Sequence, residues 1–168
     1  MAKNSKSFTL IETIVAISIF ILGVLSVISY IQFSLKVLIR QQDSIIIQSL
    51  AQEGIEAARN FRDTNYLNGR LYDYNLSGSV SLFFNGIAFY TLDTFSDIPL
   101  RVCQSGLVKY YGCKTGGVET KFHRRLIFEK APSGSGEYIK VISEVSSKPF
   151  SKGNGYILED RLYNWYGP

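Results

Sequence analysis

The chain of 168 residues has one histidine, two cysteines, one methionine and four prolines, and no proline stands before Pro99. Two cysteines alone cannot build a structural zinc site, which takes four ligands. His123 has no second histidine to work with, and no serine or cysteine stands in a recognisable nucleophile setting, so the sequence reads as a non-enzyme. There is no phosphate-binding Gly-Lys-Ser/Thr loop and no dinucleotide fingerprint, hence no metal and no cofactor is expected. Charge is also scarce at 19%, and 18 Lys+Arg against 14 Asp+Glu leave +4, too little for nucleic-acid binding to define the whole chain. Internal repeats and low-complexity segments are missing. What is plentiful is aromatic surface: eleven Tyr, eleven Phe and one Trp argue against disorder. The length suits one ordinary domain plus one membrane-length segment.

That segment is Thr13 to Leu35, 23 residues without a charge. As a helix they would span roughly 34 Å, a bilayer's hydrocarbon thickness. A core helix apolar on all sides would need a larger protein around it than the rest of this chain supplies. Lys3 and Lys6 precede the run as in a secretory signal peptide. However, the run exceeds the roughly 7 to 15 residues of a signal h-region, a carboxylate sits at its head, and no A-x-A-like site closes it. The segment is therefore expected to stay in the mature protein. The two lysines place the N-terminus in the cytoplasm and the residues beyond about 36 outside, by the positive-inside rule.

Glu12 lies one helical turn inside an apolar stretch that begins at Phe8. Insertion of such a group costs on the order of 2.5 to 3.5 kcal/mol, so a partner for it is the default expectation. The run Lys6-Ser7-Phe8-Thr9-Leu10-Ile11-Glu12-Thr13, followed by the uncharged helix, resembles the N-terminal signature of type IV prepilins and type II secretion pseudopilins. The resemblance implies that prepilin peptidase cleaves between Ser7 and Phe8, on the cytoplasmic side, and methylates the new N-terminus at Phe8. It implies other pilin or pseudopilin subunits as partners, with the cytoplasmic membrane holding the precursor before assembly into an extracytoplasmic filament. Ser7 departs from the glycine usual before the cut. Ser29 stands where many major pilins have a helix-breaking proline, which points to a minor pilin or minor pseudopilin. Glu12 is four residues, about 6 Å, beyond Phe8. A neighbouring helix displaced by that step would set its terminal ammonium beside the carboxylate, and in low dielectric either charge alone is what costs most. The other reading of Glu12 is an interfacial carboxylate reaching the headgroups.

Beyond Lys36 the pattern turns amphipathic, with Leu50, Ala51, Gly54, Ile55, Ala58 and Phe61 at three- and four-residue steps. A continuous helix from about Phe8 to Arg62, about 80 Å long, is the simplest reading. Asn60, Asp63, Thr64, Asn65, Asn68 and Gly69 supply the stop. The small residues Ala51, Gly54, Ala57 and Ala58 suit close approach by the chain's own strands or by a neighbouring helix.

The rest alternates with period two over 80–84, 87–92, 122–128, 138–145 and 156–163, and Asn85-Gly86 is a strong hairpin signal. Five strands in two groups, as a meander packed on the amphipathic helix, give an α+β, pilin-like fold. The expected division is 1–7 leader, 8–35 transmembrane and filament-core helix, 36–63 amphipathic helix and 64–168 extracytoplasmic β-rich domain. The stretches 48–65 and 158–165 also resemble the stem and last strand of minor pilins and pseudopilins.

Cys103 and Cys113 lie on the side expected to be extracytoplasmic. A disulfide there would restrict the unfolded chain by about 2.8 kcal/mol and present Lys109, Tyr110 and Tyr111 on a constrained loop; two free thiols are the alternative. Alternation sets His123 with Arg125 and Glu129 toward solvent, opposite Phe122, Leu126 and Phe128. Lys109, Lys114, Lys121, Arg124, Arg125 and Lys130 make this region locally basic. The rival to a purely structural subunit is accordingly a tip pilin that captures DNA or a surface ligand through Lys109, Tyr110, Tyr111, Arg124 and Arg125. A solvated surface with scattered charge is the plainer reading, since no groove-reading motif accompanies these residues. A membrane-anchored domain unrelated to filaments is the third.

Overall fold

The computed structural model describes residues 9–84, 90–130, 138–153 and 155–164. One helix, α1, runs over Leu10–Leu67. Among the described residues eight strands follow: β1 Gly78–Phe84, β2 Tyr90–Thr94, β3 Arg101–Ser105, β4 Val108–Tyr111, β5 Val118–Glu119, β6 His123–Lys130, β7 Tyr138–Ser146 and β8 Tyr156–Tyr163. The chain divides into two compact units, residues 1–42 and 43–168.

In the first unit the described residues are helical from Leu10 on, and none is buried. Leu10 is 78% exposed and Phe20 71%, among a long series of bare Ile, Leu and Val side chains. Among the described residues α1 is the one helix long and apolar enough to cross a membrane. Such a surface is stable only against lipid or other apolar helices.

In the second unit the later turns of α1 lie on an antiparallel five-stranded sheet of order β2-β1-β6-β7-β8. Ala51, Gly54, Ala57 and Ala58 are buried together with Leu50 and Ile55, so the small residues serve contact with the chain's own sheet. Gly54 decides how closely. A Cβ there would fall on Ser143 Oγ and 2.9 Å from Leu126 Cδ2. Leu126 and Ser143 are cross-strand partners on β6 and β7, and glycine lets the helix sit directly on that pair. Ile55, Ala58, Leu82, Leu126, Ile139 and Val141 form one core cluster; Leu50, Ala51, Leu100, Phe122 and Val145 form a second.

The helix extends past the expected stop at Arg62. Asn65 is held inside it because its Nδ2 donates to the carbonyls of Tyr74 (2.9 Å) and Tyr72 (3.4 Å) in the following connector. The end is a Schellman turn: Gly69 N donates to Tyr66 O (2.9 Å) and Arg70 N to Asn65 O (2.8 Å), with Gly69 at φ 65°.

Two strand expectations are corrected. The five long strands form one sheet rather than two groups, and β6 pairs with β1, so the order is not a simple meander. Between β2 and β6 the chain builds a separate sheet, β4-β3-β5, where a loop was expected. Arg101–Ser105 does not alternate, and the other two strands have only four and two residues. The turn at Asn85-Gly86 lies outside the described residues, as does the Pro132 to Gly136 connection. The second strand starts at Tyr90, opposite Phe84.

Candidate functional site

At the N-terminal end, Ser7 and Phe8 lie outside the described residues. Glu12 stands in the first turn of α1, exposed, with its backbone N donating to Thr9 O at 3.1 Å. The hydroxyls of Thr13, Ser18, Ser26 and Ser29 each donate to a carbonyl three or four residues earlier, at 2.7–2.9 Å. Those polar groups are satisfied within the helix and make no demand on surroundings. Glu12 is the single charge between Thr9 and Leu35, and among the described residues no ion pair answers it.

Farther along, Cys103 and Cys113 are bonded, with Cα atoms 6.1 Å apart. The bridge ties β3 to Cys113, two residues beyond the end of β4. Gly112 N donates to Arg101 O (2.8 Å), and its carbonyl accepts from Phe84 N (2.9 Å), which joins the small sheet to β1. Ser105 and Val108 face each other across Gly106-Leu107, with Gly106 at φ 61°, as a two-residue hairpin with glycine in its first position requires. Replacing both cysteines by serine is expected to lower stability by about 2.8 kcal/mol. Thermal unfolding of the double variant against the oxidised chain measures it, and equal midpoints would show that the hairpin and Gly112 contacts suffice.

The candidate capture residues are not brought onto one surface. Lys109 is exposed on β4. Tyr110 stands edge-on to Phe84 with centroids 5.3 Å apart, and Tyr111 edge-on to Phe122 at 6.2 Å, so both rings are engaged in packing rather than open for stacking. Arg124 is withdrawn from the surface altogether: its side chain is 0% exposed. It donates from Nη2 to Leu82 O (3.1 Å), and its Nη1 lies 3.2 Å from Glu53 Oε1 on α1. Burial first, and then the Glu53 charge, raise the phenol pKa of neighbouring Tyr90, against an opposing pull from Arg124. Arg125 is half-buried, bonded twice to Glu144 (2.5 and 3.1 Å) and held over Phe95 (5.3 Å) and Phe150 (4.8 Å).

His123 is likewise not on the surface. It is 6% exposed, with Nδ1 2.9 Å from Asp97 Oδ1 and its ring against Phe150. Alternation assigned its face correctly, but the segment after β2 and the short turn Phe150–Lys152 cover that face as a second layer. The local basicity is answered too. Lys114 meets Asp93, Lys121 meets Asp43 and Lys130 meets Asp73, each at 2.6 Å. Of the six basic residues, Lys109 alone has no carboxylate at ion-pair distance among the described residues.

The Glu53–Arg124 and Asp97–His123 pairs were not expected from the sequence. A signal for the first was present: alternation sets Arg124 with Phe122, Leu126 and Phe128 on the core face, and a guanidinium there needs a buried carboxylate. No group of three or more His, Cys, Asp or Glu able to hold a metal ion occurs among the described residues.

Residues 2–30 match the family described as the prokaryotic N-terminal methylation motif. The match covers Lys3, Lys6, Ser7, Phe8, Glu12 and most of the apolar helix. The motif supports a structural role of the pilin and pseudopilin type. No curated protein and no solved structure matches the chain.

Proposed function

We propose that this chain is a minor pilin or minor pseudopilin, a structural subunit that enters a type IV pilus or type II secretion-like filament through its N-terminal helix. The observation that carries the reading is a single helix with two surfaces. The end bearing the methylation motif is apolar and bare, and the far end is buried under an antiparallel sheet. In this reading Thr13 to Leu35 holds the precursor in the cytoplasmic membrane, prepilin peptidase cuts between Ser7 and Phe8, and Phe8 becomes the N-methylated first residue. The cut removes Lys3 and Lys6, so the formal charge falls from +4 to +2. Glu12 then neutralises the terminal amine of a neighbouring subunit. The strand domain faces outward from the filament, and its paired lysines and arginines leave little field for DNA.

Intact-mass and N-terminal peptide analysis, on protein from membranes of cells with a prepilin peptidase, tests the processing. The expected product begins at N-methylated Phe8; a Met1 or Ala2 start overturns the reading in favour of a static anchored domain. Glu12→Ala tests assembly separately. Because an unpartnered charge in low dielectric is what costs most, the variant's loss of its neighbour's counter-charge is expected to cut incorporation into sheared filaments at least about tenfold. Glu12 is exposed, so the variant should fold and enter the membrane as the parent does. Undiminished incorporation would remove Glu12 from the assembly mechanism.

A further inference from the structure

A cleft of about 580 Å³ opens where α1 ends, between its last turns, the connector to β1, and β1 and β2. Its volume falls in the range of small-molecule sites, roughly 300 to 1,000 Å³. Phe61, Val80 and Leu92 give it an apolar floor, while Asn68, Arg70 and Ser77 stand on its rim.

The walls are fixed before any ligand arrives. Buried Asn65 ties the connector to the helix through Tyr72 O and Tyr74 O, and Asn75 adopts φ 58°. Asn68 Nδ2 donates to Thr64 O at 2.9 Å, which sets the orientation of that amide. Arg70 is exposed and has no ion pair among the described residues; its guanidinium lies 4.8 Å over the Tyr74 ring. The one acid in the lining, Asp93, is neutralised by Lys114 at 2.6 Å.

An apolar floor suits the C–H face of a pyranose ring. Amide and hydroxyl groups at the rim both donate and accept, as sugar hydroxyls do. An unpaired guanidinium braced on an aromatic ring presents a planar fork suited to a carboxylate. We propose that this cleft binds a sugar acid, with its carboxylate on Arg70 and its hydroxyls on Asn68 and Ser77. The site is independent of the assembly role, because every residue in it belongs to the unit 43–168.

The test titrates the full chain in detergent micelles with D-glucuronate, D-glucose and acetate, read by amide chemical shifts and calorimetry. Glucuronate is expected to shift the amides of Asn68, Arg70 and Ser77 and to saturate. Glucose should bind at least about tenfold more weakly and acetate should give no saturation, a tenfold change corresponding to about 1.4 kcal/mol. Arg70→Ala should weaken glucuronate at least about tenfold, with an unchanged thermal midpoint because Arg70 is exposed. Ser77→Ala is the second lesion and should weaken glucuronate and glucose alike. Absence of saturation by glucuronate at about 10 mM, a response to acetate or glucose equal to that of glucuronate, or unchanged affinity in Arg70→Ala overturns the proposal.

Discussion

Replacing Arg124 by alanine is expected to destabilise the protein by about 3 kcal/mol, enough to unfold a marginal domain at growth temperature. The guanidinium is fully enclosed and joins three elements: Glu53 on α1, the carbonyl of Leu82 on β1, and the turn at Gly112, where a Cβ would come within 2.9 Å of its Nη2. Its loss leaves Glu53 facing a hole. Glu53 is 29% exposed and reaches solvent, so the low end of the roughly 3 to 5 kcal/mol cost of breaking a buried pair applies. Urea unfolding of the full chain in micelles gives the number. The pair Arg124→Met with Glu53→Leu should recover to within about 1 kcal/mol of the parent, because an apolar pair of similar volume removes the stranded charge. Were Arg124 a surface contact for DNA or another ligand, its alanine variant would stay within about 0.5 kcal/mol of the parent and lose only capture.

Gly54→Val is expected to cost about 3 kcal/mol, at the upper end of overpacking, and to loosen the helix from the sheet. The new side chain has no free volume: its Cβ falls on Ser143 Oγ and crowds Leu126, both fully buried. Gly54→Ala is the milder companion, since alanine's gain of about 1 kcal/mol in helix propensity offsets part of the collision. Near-UV circular dichroism and urea midpoints separate the two. Valine tolerated at parental stability would mean that α1 can lift off β6 and β7 without loss. Such a variant should still insert in the membrane, because the apolar run through Leu35 is untouched.

The order of these effects reflects how much of the protein was local. The 23 uncharged residues, the amphipathic continuation and the alternating runs at 80–84, 122–128, 138–145 and 156–163 each carry their period within a short window, and each became an element of the matching kind. The helix end was harder. Asn65 carries stop chemistry, yet the connector's carbonyls take its amide and the helix runs on to Leu67. The strands β3 to β5 had no legible period, since Arg101–Ser105 does not alternate and the other two have only four and two residues.

The candidate site divided along the same line. The Phe8 and Glu12 motif is a linear pattern beside a membrane-length helix, and it was read from consecutive residues. The capture surface was inferred from nearness in sequence, and the fold dispersed it. Arg124 turned inward to a carboxylate on the helix, Arg125 was held against Phe95, Phe150 and Glu144, and the two tyrosines took different packing partners.

The sequence by itself determined a long helix with an apolar half, one carboxylate at its head, and an antiparallel sheet on its other half, because hydrophobic periodicity and uncompensated charge are properties of neighbouring residues. Only the tertiary structure decided which cations remain free and which aromatics remain open. Those outcomes depend on a second layer over β6 and on pairings such as Glu53 with Arg124, where the cost of burying a charge is met by a group far away in the chain.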